Sequence, residues 1–153
     1  MNKDVYKIRK EFIFDAGHRV WNQELNTIEG VTFENKCRNI HGHTYRVIVE
    51  LTTENLNDYG VVMDFTHVKY YMKPLIDALD HSFIVDKNDP LFDDIKAIAE
   101  KMNLKLFVVD FVPTAENLAK YIYEYLEAKK IPVSKVICYE TPTSVAEYTK
   151  NRS

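Results

Sequence analysis

Apolar and polar residues alternate along two long stretches of the chain, residues 6–18 and 43–53. Alternation with a period of two is typical of a β-strand that buries one face. Two further stretches near the end of the chain, 134–141 and 144–149, alternate in the same way. Because strands that follow one another in sequence usually pair, we expect the first two stretches to pair antiparallel, and likewise the last two.

Apolar residues at helical spacing mark the segments between these strands. Three segments are expected to form helices: about 67–80, 91–102 and 115–129. Thr66 and Thr114 precede two of them and are suitable N-caps, because a threonine hydroxyl can accept a hydrogen bond from a free backbone N–H. Residues 61–65 and 105–111 are short apolar runs with strand-like composition.

Together these elements predict an α+β fold, a four-stranded antiparallel sheet with two helices on one face. The 153 residues are the length of one domain, so residues 1–153 are expected to form a single domain. The other face of the sheet would also carry apolar residues, such as Ile13, Ile48 and Ile137. A sheet with such a face and with open edges is expected to assemble into an oligomer.

The composition narrows the class of protein. Hydrophobic residues make up 46% and charged residues 28% of the chain, which is typical of a globular protein. The net charge of −3 gives no support for nucleic-acid binding. No apolar run approaches the roughly 20 residues of a membrane span, and the N-terminus lacks the apolar core of a signal peptide. We therefore expect a cytoplasmic protein that binds neither nucleic acid nor membrane.

Three histidines share the apolar phase of the first two strands. His18 ends the first strand, and His41 and His43 begin the second if that strand extends back to residue 41. Antiparallel pairing would then bring all three imidazoles to one end of the sheet. Three histidine ligands with an open fourth position are typical of a catalytic zinc site. We therefore predict a metal centre here, in preference to three ordinary histidines at strand ends.

Cys37 lies just before this pair of histidines. It could be a fourth ligand, which would close the site in the manner of a structural zinc centre. It could instead be a free thiol, activated by the metal and by the charges of Lys36 and Arg38. The spacing alone does not separate these alternatives. Cys138, in contrast, lies in strand phase and is expected to pack in the core. Two cysteines are too few for a disulfide scaffold.

Further candidate residues are polar groups near the ends of predicted elements. Asp80 and His81 follow one another at a helix end, where an aspartate can orient a histidine that transfers protons. Glu140 shares a strand phase with Cys138, so its carboxylate would lie at the edge of an apolar face and could bind two adjacent N–H donors. Glu116 can serve the dipole of the helix that it begins.

A polar loop over residues 19–36 separates the first two strands and is long enough to be a lid or a binding loop. Arg19, Lys36 and Arg38 lie at its two ends, near the predicted metal centre. Each is most simply a solvated surface side chain. Together they could contact an anionic substrate.

Six segments of the chain match the motifs of one known family, in the family's order. They are Phe14-Asp15-Ala16-Gly17-His18-Arg19, Cys37-x-x-x-His41-Gly42-His43, Val62-Met63-Asp64-Phe65, Leu79-Asp80-His81, Pro113-Thr114-Ala115-Glu116-Asn117 and Glu140-Thr141. On these motifs the chain resembles the 6-pyruvoyltetrahydropterin synthase/6-carboxytetrahydropterin synthase family over nearly its whole length. The combination is highly specific, whereas any one segment alone is a weak signal.

The resemblance implies a tunnelling fold, in which the sheets of several subunits join into a barrel and the rings stack, usually as a homohexamer (a dimer of trimers). It implies a Zn²⁺ cofactor on His18, His41 and His43, with the fourth position open to oxygens of the substrate's side chain. The sites lie between subunits in this family, which agrees with the uncovered sheet face expected above.

The resemblance also implies roles for the other candidates. Cys37 would be the catalytic thiol, and Asp80 with His81 would form a second proton-transfer pair. The substrate-binding residues would be Glu140, which would anchor the pterin ring, assisted by Thr114 and Glu116.

The short spacing between Cys37 and His41 resembles that of the bacterial carboxy-synthases of queuosine biosynthesis. The implied reaction converts 7,8-dihydroneopterin triphosphate to 6-carboxy-5,6,7,8-tetrahydropterin, acetaldehyde and triphosphate. One alternative is a 6-pyruvoyltetrahydropterin synthase, a lyase that eliminates triphosphate from the same substrate without breaking a carbon–carbon bond. Another, of a different class, is a non-catalytic zinc-stabilised oligomerisation module in which Cys37 would be a ligand.

Overall fold

The computed structural model describes residues 2–24 and 27–151 and shows a six-stranded mixed sheet within them. The elements are, in chain order, β1 (Tyr6–His18), β2 (Thr27–Ile28), β3 (Val31–Thr32), a 3-10 helix (Lys36–Arg38), β4 (His41–Thr53), α1 (Phe65–Leu79), β5 (Ser82–Asp86), α2 (Phe92–Met102), β6 (Leu106–Val109), α3 (Ala115–Ala128), β7 (Val133–Thr141) and β8 (Ser144–Tyr148). The sheet has the strand order β6-β5-β1-β4-β7-β8, and β2 and β3 form a separate small hairpin.

The prediction of four antiparallel strands was incomplete. Strands β1, β4, β7 and β8 are present and antiparallel as expected. However, β5 and β6 extend the sheet beyond β1 and run parallel to it. Strand β5 is a short apolar run that is buried over most of its length. Its sequence does not alternate between apolar and polar residues, because a parallel strand covered on both faces has no polar side. The pattern that predicted the antiparallel strands therefore did not reveal β5.

The helices agree with the sequence pattern, except at the N-terminus of α1. Three helices are present rather than the two of the predicted layer, and Thr114 caps α3 as expected by accepting from the N–H of Asn117. Helix α1 is capped by Asp64, not Thr66, because the Asp64 carboxylate accepts from the N–H of Thr66 at 2.7 Å. Residues 61–64 form a loop that ends in this N-cap, and Phe65 begins the helix, so the run 61–65 is not the strand expected from its composition.

The core lies between one face of the sheet and the helices α1 and α3. The alternating residues Tyr45, Val47, Val49 and Leu51 of β4 are fully buried in it. Cys138 is buried in the same cluster, which confirms that it packs in the core. Burial of each such aliphatic side chain stabilises the fold by about 1.5–3 kcal/mol, so this face fixes which residues of β4 point inward.

The opposite face of the sheet is open in a single chain. Ile13 is 58% exposed there, and Ile48 and Ile137 are partly exposed. This agrees with the expectation of an apolar second face. Within residues 2–24 and 27–151, no helix has both the length and the apolar character needed to cross a bilayer.

The register of β1 and β4 places the histidines. His18 lies opposite His41, and Ala16 lies opposite His43. The parity argument from the sequence is therefore confirmed: the two strands pair antiparallel and their inward phase ends in three imidazoles. Between these two residue pairs Gly17 lies opposite Gly42, and the two backbones approach closely there.

We expect Gly42→Ala to lower the free energy of unfolding by about 1–2 kcal/mol and to reduce the number of metal ions bound per chain. A Cβ at this position would lie 3.2 Å from the carbonyl oxygen of Ala16. Relief of this contact requires movement of the backbone that carries His41 and His43. Urea unfolding and metal analysis of the purified protein test this. Unchanged values for both would show that the strand pair accommodates the methyl group without moving the histidines.

Candidate metal centre and active site

The three predicted histidines form one cluster at the end of β1 and β4. The ring centroids of His18, His41 and His43 are 4.6 Å, 5.0 Å and 4.9 Å apart in the three pairs. His18 is fully buried, and the other two are half-buried. The sequence thus predicted correctly which histidines meet.

Hydrogen bonds to backbone carbonyls set the tautomers of two of these rings. Nδ1 of His18 lies 2.6 Å from the carbonyl oxygen of Pro113, and Nδ1 of His41 lies 2.6 Å from that of Asn39. A carbonyl can only accept, so both Nδ1 atoms donate and, in the neutral rings, both Nε2 atoms carry lone pairs. The two Nε2 atoms are 3.1 Å apart. Facing lone pairs at this distance repel unless a cation lies between them.

The third imidazole also has a nitrogen available. Nε2 of His43 is buried and lies 3.1 Å from Oε1 of Glu140, but without the alignment of a hydrogen bond, so it has no hydrogen-bond partner among the described residues. One potential ligand atom each from His18, His41, His43 and Glu140 lies within 4.8 Å of the others. Such a nitrogen-rich set suits a transition metal such as zinc. The carbonyl partners of His18 and His41 fix the orientation of these two rings, as the outer hydrogen bonds of metal-binding histidines do.

Burial disfavours the charged forms of His18 and His43. Desolvation lowers the pKa of His18 from its ordinary 6.5 to about 4, and the nearby His41 and His43 act in the same direction, against the hydrogen bond to Pro113. Burial likewise lowers the pKa of His43, although the charge of Glu140 opposes this shift. Neutral imidazoles are the form that binds a metal.

Cys37 lies near the cluster but does not belong to it. It occupies the middle of the 3-10 helix, is half-buried, and is not among the four residues whose ligand atoms converge within the described chain. Its backbone is held by two contacts, from the N–H of Val20 to its carbonyl and from its own N–H to Oε1 of Gln23. The thiol is therefore not one of the converging potential ligand atoms in the described structure.

Asp80 and His81 contact one another directly. Asp80 is the C-cap of α1, and His81 follows with a left-handed φ of 59°, so that Nδ1 of His81 lies 3.0 Å from Oδ2 of Asp80. Consecutive residues inside a helix would not meet in this way. The pKa of Asp80 is lowered, first by the hydrogen bond from the N–H of Asp15 and then by His81.

The sequence did not reveal the part that Asp15 takes in this arrangement. Its N–H donates to Oδ1 of Asp80 at 2.9 Å, and its carbonyl accepts from the N–H of His81 at 2.6 Å. Asp15 also accepts from the hydroxyl of Thr44 on the neighbouring strand. The available signal was its position in the outward phase of β1. That position indicates a role for Asp15 beside Asp80 and His81 only once β5 is known to pair parallel with β1.

Two cavities lie next to the histidine cluster. One of about 490 Å³ is lined by His43 and His81 together with residues of β1, β4 and β5. Another of about 760 Å³ is lined by His43 and Glu140, with Arg46, Tyr139 and Thr141. His43 therefore borders both the cavity that contains the predicted proton-transfer histidine and the cavity that contains the predicted ring anchor.

The remaining substrate-binding candidates are only partly brought together. Glu116 is exposed at the start of α3 and shares a cavity of about 330 Å³ with Glu140. The hydroxyl of Thr114 instead accepts from the N–H of Asn117, 3.2 Å away, as an N-cap. Sequence reasoning did not anticipate that Glu140 lies beside His43, because this depends on the register between β4 and β7.

The three basic residues proposed to contact an anion have different environments. The Arg19 guanidinium is bound to the carboxylate of Asp89 and is only 15% exposed. It is therefore already paired, which argues against the expectation that it meets an anionic substrate. Lys36 and Arg38 are exposed on the 3-10 helix.

Comparison with known proteins identifies relatives over almost the full length. Residues 7–151 match the family model described as 6-pyruvoyl tetrahydropterin synthase. The chain is 45% identical to a 6-carboxy-5,6,7,8-tetrahydropterin synthase of Aquifex aeolicus, with 94% of this chain and 97% of the relative covered. It is 32% identical to the human 6-pyruvoyl tetrahydrobiopterin synthase, with 93% and 90% covered.

Solved structures share the fold of this chain. An uncharacterized protein from Wolinella succinogenes is 34% identical, with a TM-score of 0.83 over 96% of this chain and 99% of that one. The 6-pyruvoyl tetrahydropterin synthase of Caenorhabditis elegans is 26% identical, with a TM-score of 0.65 over 99% and 100%.

We expect the metal-free protein to lose stability as the pH falls from about 6.5 to about 4. In this window the unfolded chain binds a proton at His18, whereas the folded chain keeps that ring neutral, so acid favours the unfolded state. The difference between the two pKa values corresponds to a loss of about 3 kcal/mol at the lower end. Urea unfolding in the presence of a chelator measures this loss.

The matched variants are His18→Gln and, as control, His67→Gln at an exposed position on α1. The first should flatten the pH dependence and the second should retain it. Equal slopes in His18→Gln and the unmodified protein would contradict the assignment.

Proposed function

The chain belongs to the 6-pyruvoyl tetrahydropterin synthase family, and on that premise we propose that it is a 6-carboxy-5,6,7,8-tetrahydropterin synthase. The substrate would be 7,8-dihydroneopterin triphosphate, and the products 6-carboxytetrahydropterin, acetaldehyde and triphosphate. The observation that carries the proposal is the 45% identity to a protein of that name over nearly the whole of both chains. The sibling reaction remains the second candidate because of the 32% identity to the human pyruvoyl enzyme.

The pterin ring would bind beside Glu140. The adjacent cavity of about 760 Å³ falls in the range of ordinary small-molecule sites. A carboxylate there can accept two parallel N–H bonds from the edge of a pterin ring, the same geometry by which it binds an arginine. Glu116, which shares a further cavity with Glu140, would contribute negative charge nearby, and Thr114 would act through the start of α3 that it caps.

The metal would be Zn²⁺, held by His18, His41 and His43. When bound there, zinc supplies Lewis acidity toward the hydroxyls of the substrate's side chain and stabilises negative charge that develops on them. The supporting observations are the facing lone pairs of His18 and His41 and the unpartnered Nε2 of His43. Glu140 lies 3.1 Å from that atom, so a pterin ring bound to its carboxylate would lie close to the metal that binds the substrate's side chain.

Proton transfer would fall to Cys37 and to the pair Asp80–His81. Cys37 precedes His41 beyond the end of the strand pair, whereas His81 lies beside Asp15, further into the sheet. The two groups thus flank the histidine cluster along the strand direction. Cys37 would move protons at the side-chain and ring carbons, and His81, oriented by Asp80, would serve the other side of the substrate.

The subunits would assemble into a homohexamer in the cytoplasm. The open sheet face around Ile13 supports assembly, because an exposed apolar face of this kind is usually covered. The strands β6 and β8 at the sheet edges offer backbone groups for pairing with another copy.

We expect zinc-loaded protein to release acetaldehyde in an amount equal to the triphosphate it forms from dihydroneopterin triphosphate. Chromatography of the pterin product, together with an alcohol dehydrogenase assay for acetaldehyde, tests this. Triphosphate release without acetaldehyde would establish the pyruvoyl reaction instead. No turnover by zinc-loaded, folded protein would exclude both enzymes.

We expect Cys37→Ala to lower kcat by at least about 100-fold while one zinc per chain is retained, because the thiol lies outside the cluster of ligand atoms. The matched control is Cys138→Ala, which removes a buried core thiol and should lower stability with little effect on kcat per folded molecule. Loss of zinc in Cys37→Ala would mean that the thiol is a ligand and would support the structural-zinc alternative.

A further inference from the structure

The Cys37 segment has little to hold it in place by itself. It is a 3-10 helix of three residues, without a side-chain cap on its N-terminus and without a buried residue in the described structure. Helices this short are weakly held by their own hydrogen bonds. Contacts from outside must therefore determine where the thiol lies.

These contacts come from residues 19–23, which we name the bracing segment. The N–H of Val20 donates to the carbonyl of Cys37 at 2.7 Å, and Oε1 of Gln23 accepts from the N–H of Cys37 at 3.2 Å. Nη1 of Arg19 donates to the carbonyl of Arg38 at 3.1 Å. The bracing segment thus holds the backbone on both sides of the thiol.

The bracing segment is itself attached to the turn that follows β5. Nε and Nη2 of Arg19 lie 2.7 Å and 2.8 Å from the two carboxylate oxygens of Asp89, a fork-to-fork pair. Nε1 of Trp21 donates to Asp86 at 2.9 Å. Both attachments therefore end on carboxylates of the same turn.

That turn is a rigid anchor. Asp86 and Asp89 are 2% and 5% exposed. Asp86 also accepts from the N–H of Asn88, and Asp89 accepts from the N–H of Leu91. A buried carboxylate that loses its cation is strongly destabilised, so Asp89 holds Arg19 in one geometry.

We propose that Arg19 and Asp89 are positioning residues for Cys37, and that the region from β5 to the start of α2 anchors the thiol-bearing helix through the bracing segment. Arg19 has a fixed fork of donors and serves Asp89 and the Arg38 carbonyl at the same time. It acts on the reaction through Cys37, and only this last step rests on the proposed function.

The principal test is Asp89→Asn, with Glu50→Gln as the matched control. Glu50 is also buried, and its Oε2 lies 3.0 Å from both Nε and Nη2 of an arginine, Arg9, but near the other end of the β1–β4 pair. Both substitutions neutralise a buried carboxylate paired with arginine. They should therefore lower stability similarly and differ only in their effect on the thiol.

Three readouts distinguish positioning from general destabilisation. In Asp89→Asn we expect kcat to fall by about 10- to 100-fold. KM should stay within about 2-fold of the unmodified enzyme, because in the described structure no hydrogen bond or ion pair joins Glu140 to Arg19 or Asp89. Alkylation of Cys37 by iodoacetamide, identified by peptide mass, should become several-fold faster. The fluorescence of Trp21, the sole tryptophan, should shift to longer wavelength as the bracing segment separates from the turn.

Glu50→Gln should leave all three readouts as in the unmodified protein. Arg19→Lys should share the defect of Asp89→Asn, because an ammonium cannot form the same fork. The double variant should be little worse than either single variant, since both act on one contact.

Unchanged alkylation and Trp21 emission in Asp89→Asn, or equal losses of kcat in Asp89→Asn and Glu50→Gln, would overturn the proposal. Alkylation and fluorescence require no substrate. If the unmodified protein fails to convert dihydroneopterin triphosphate, the proposed function fails, while these two readouts still decide whether Asp89 positions Cys37.

Discussion

The pairing of β1 with β4 is the constraint on which the rest of the structure depends. It places His18 against His41 and leaves the small residue Ala16 opposite His43. The same register directs Tyr45 and the alternating residues after it into the core. A shift by one residue would turn both sets to the other face. The energy of the core therefore also maintains the geometry of the histidine cluster.

The histidine cluster also contains an electrostatic repulsion that a bound cation would remove. His18 and His41 each donate to a backbone carbonyl, so their remaining nitrogens face one another as acceptors. Burial disfavours protonation of the His18 ring, as its lowered pKa reflects, so this ring keeps a lone pair directed toward His41. The protein thus retains an arrangement that is unfavourable when empty. Preorganisation of this kind is common at binding sites.

The region after α1 supports the site from outside the histidine cluster. It contributes His81 on one side, in a left-handed conformation beside Asp80, and the buried carboxylate of Asp89 on the other. The added parallel strands β5 and β6 therefore do more than widen the sheet. Strand β5 lies between His81 and Asp89 in the chain and pairs with β1, so it joins the supports of both proposed proton-transfer groups to the sheet, and β6 pairs with β5 in turn.

The sequence by itself determined the features that depend on local periodicity. Alternation located β1, β4, β7 and β8. Parity together with the expected antiparallel pairing identified His18 as the partner of His41 and His43, because side chains in a strand can point in only two directions. The family motifs were equally local. Tertiary structure alone decided the parallel strand β5, the position of Glu140 beside His43 and the pairing of Arg19 with Asp89. These contacts join residues distant in sequence, and their strength comes from burial that exists only once the chain has folded.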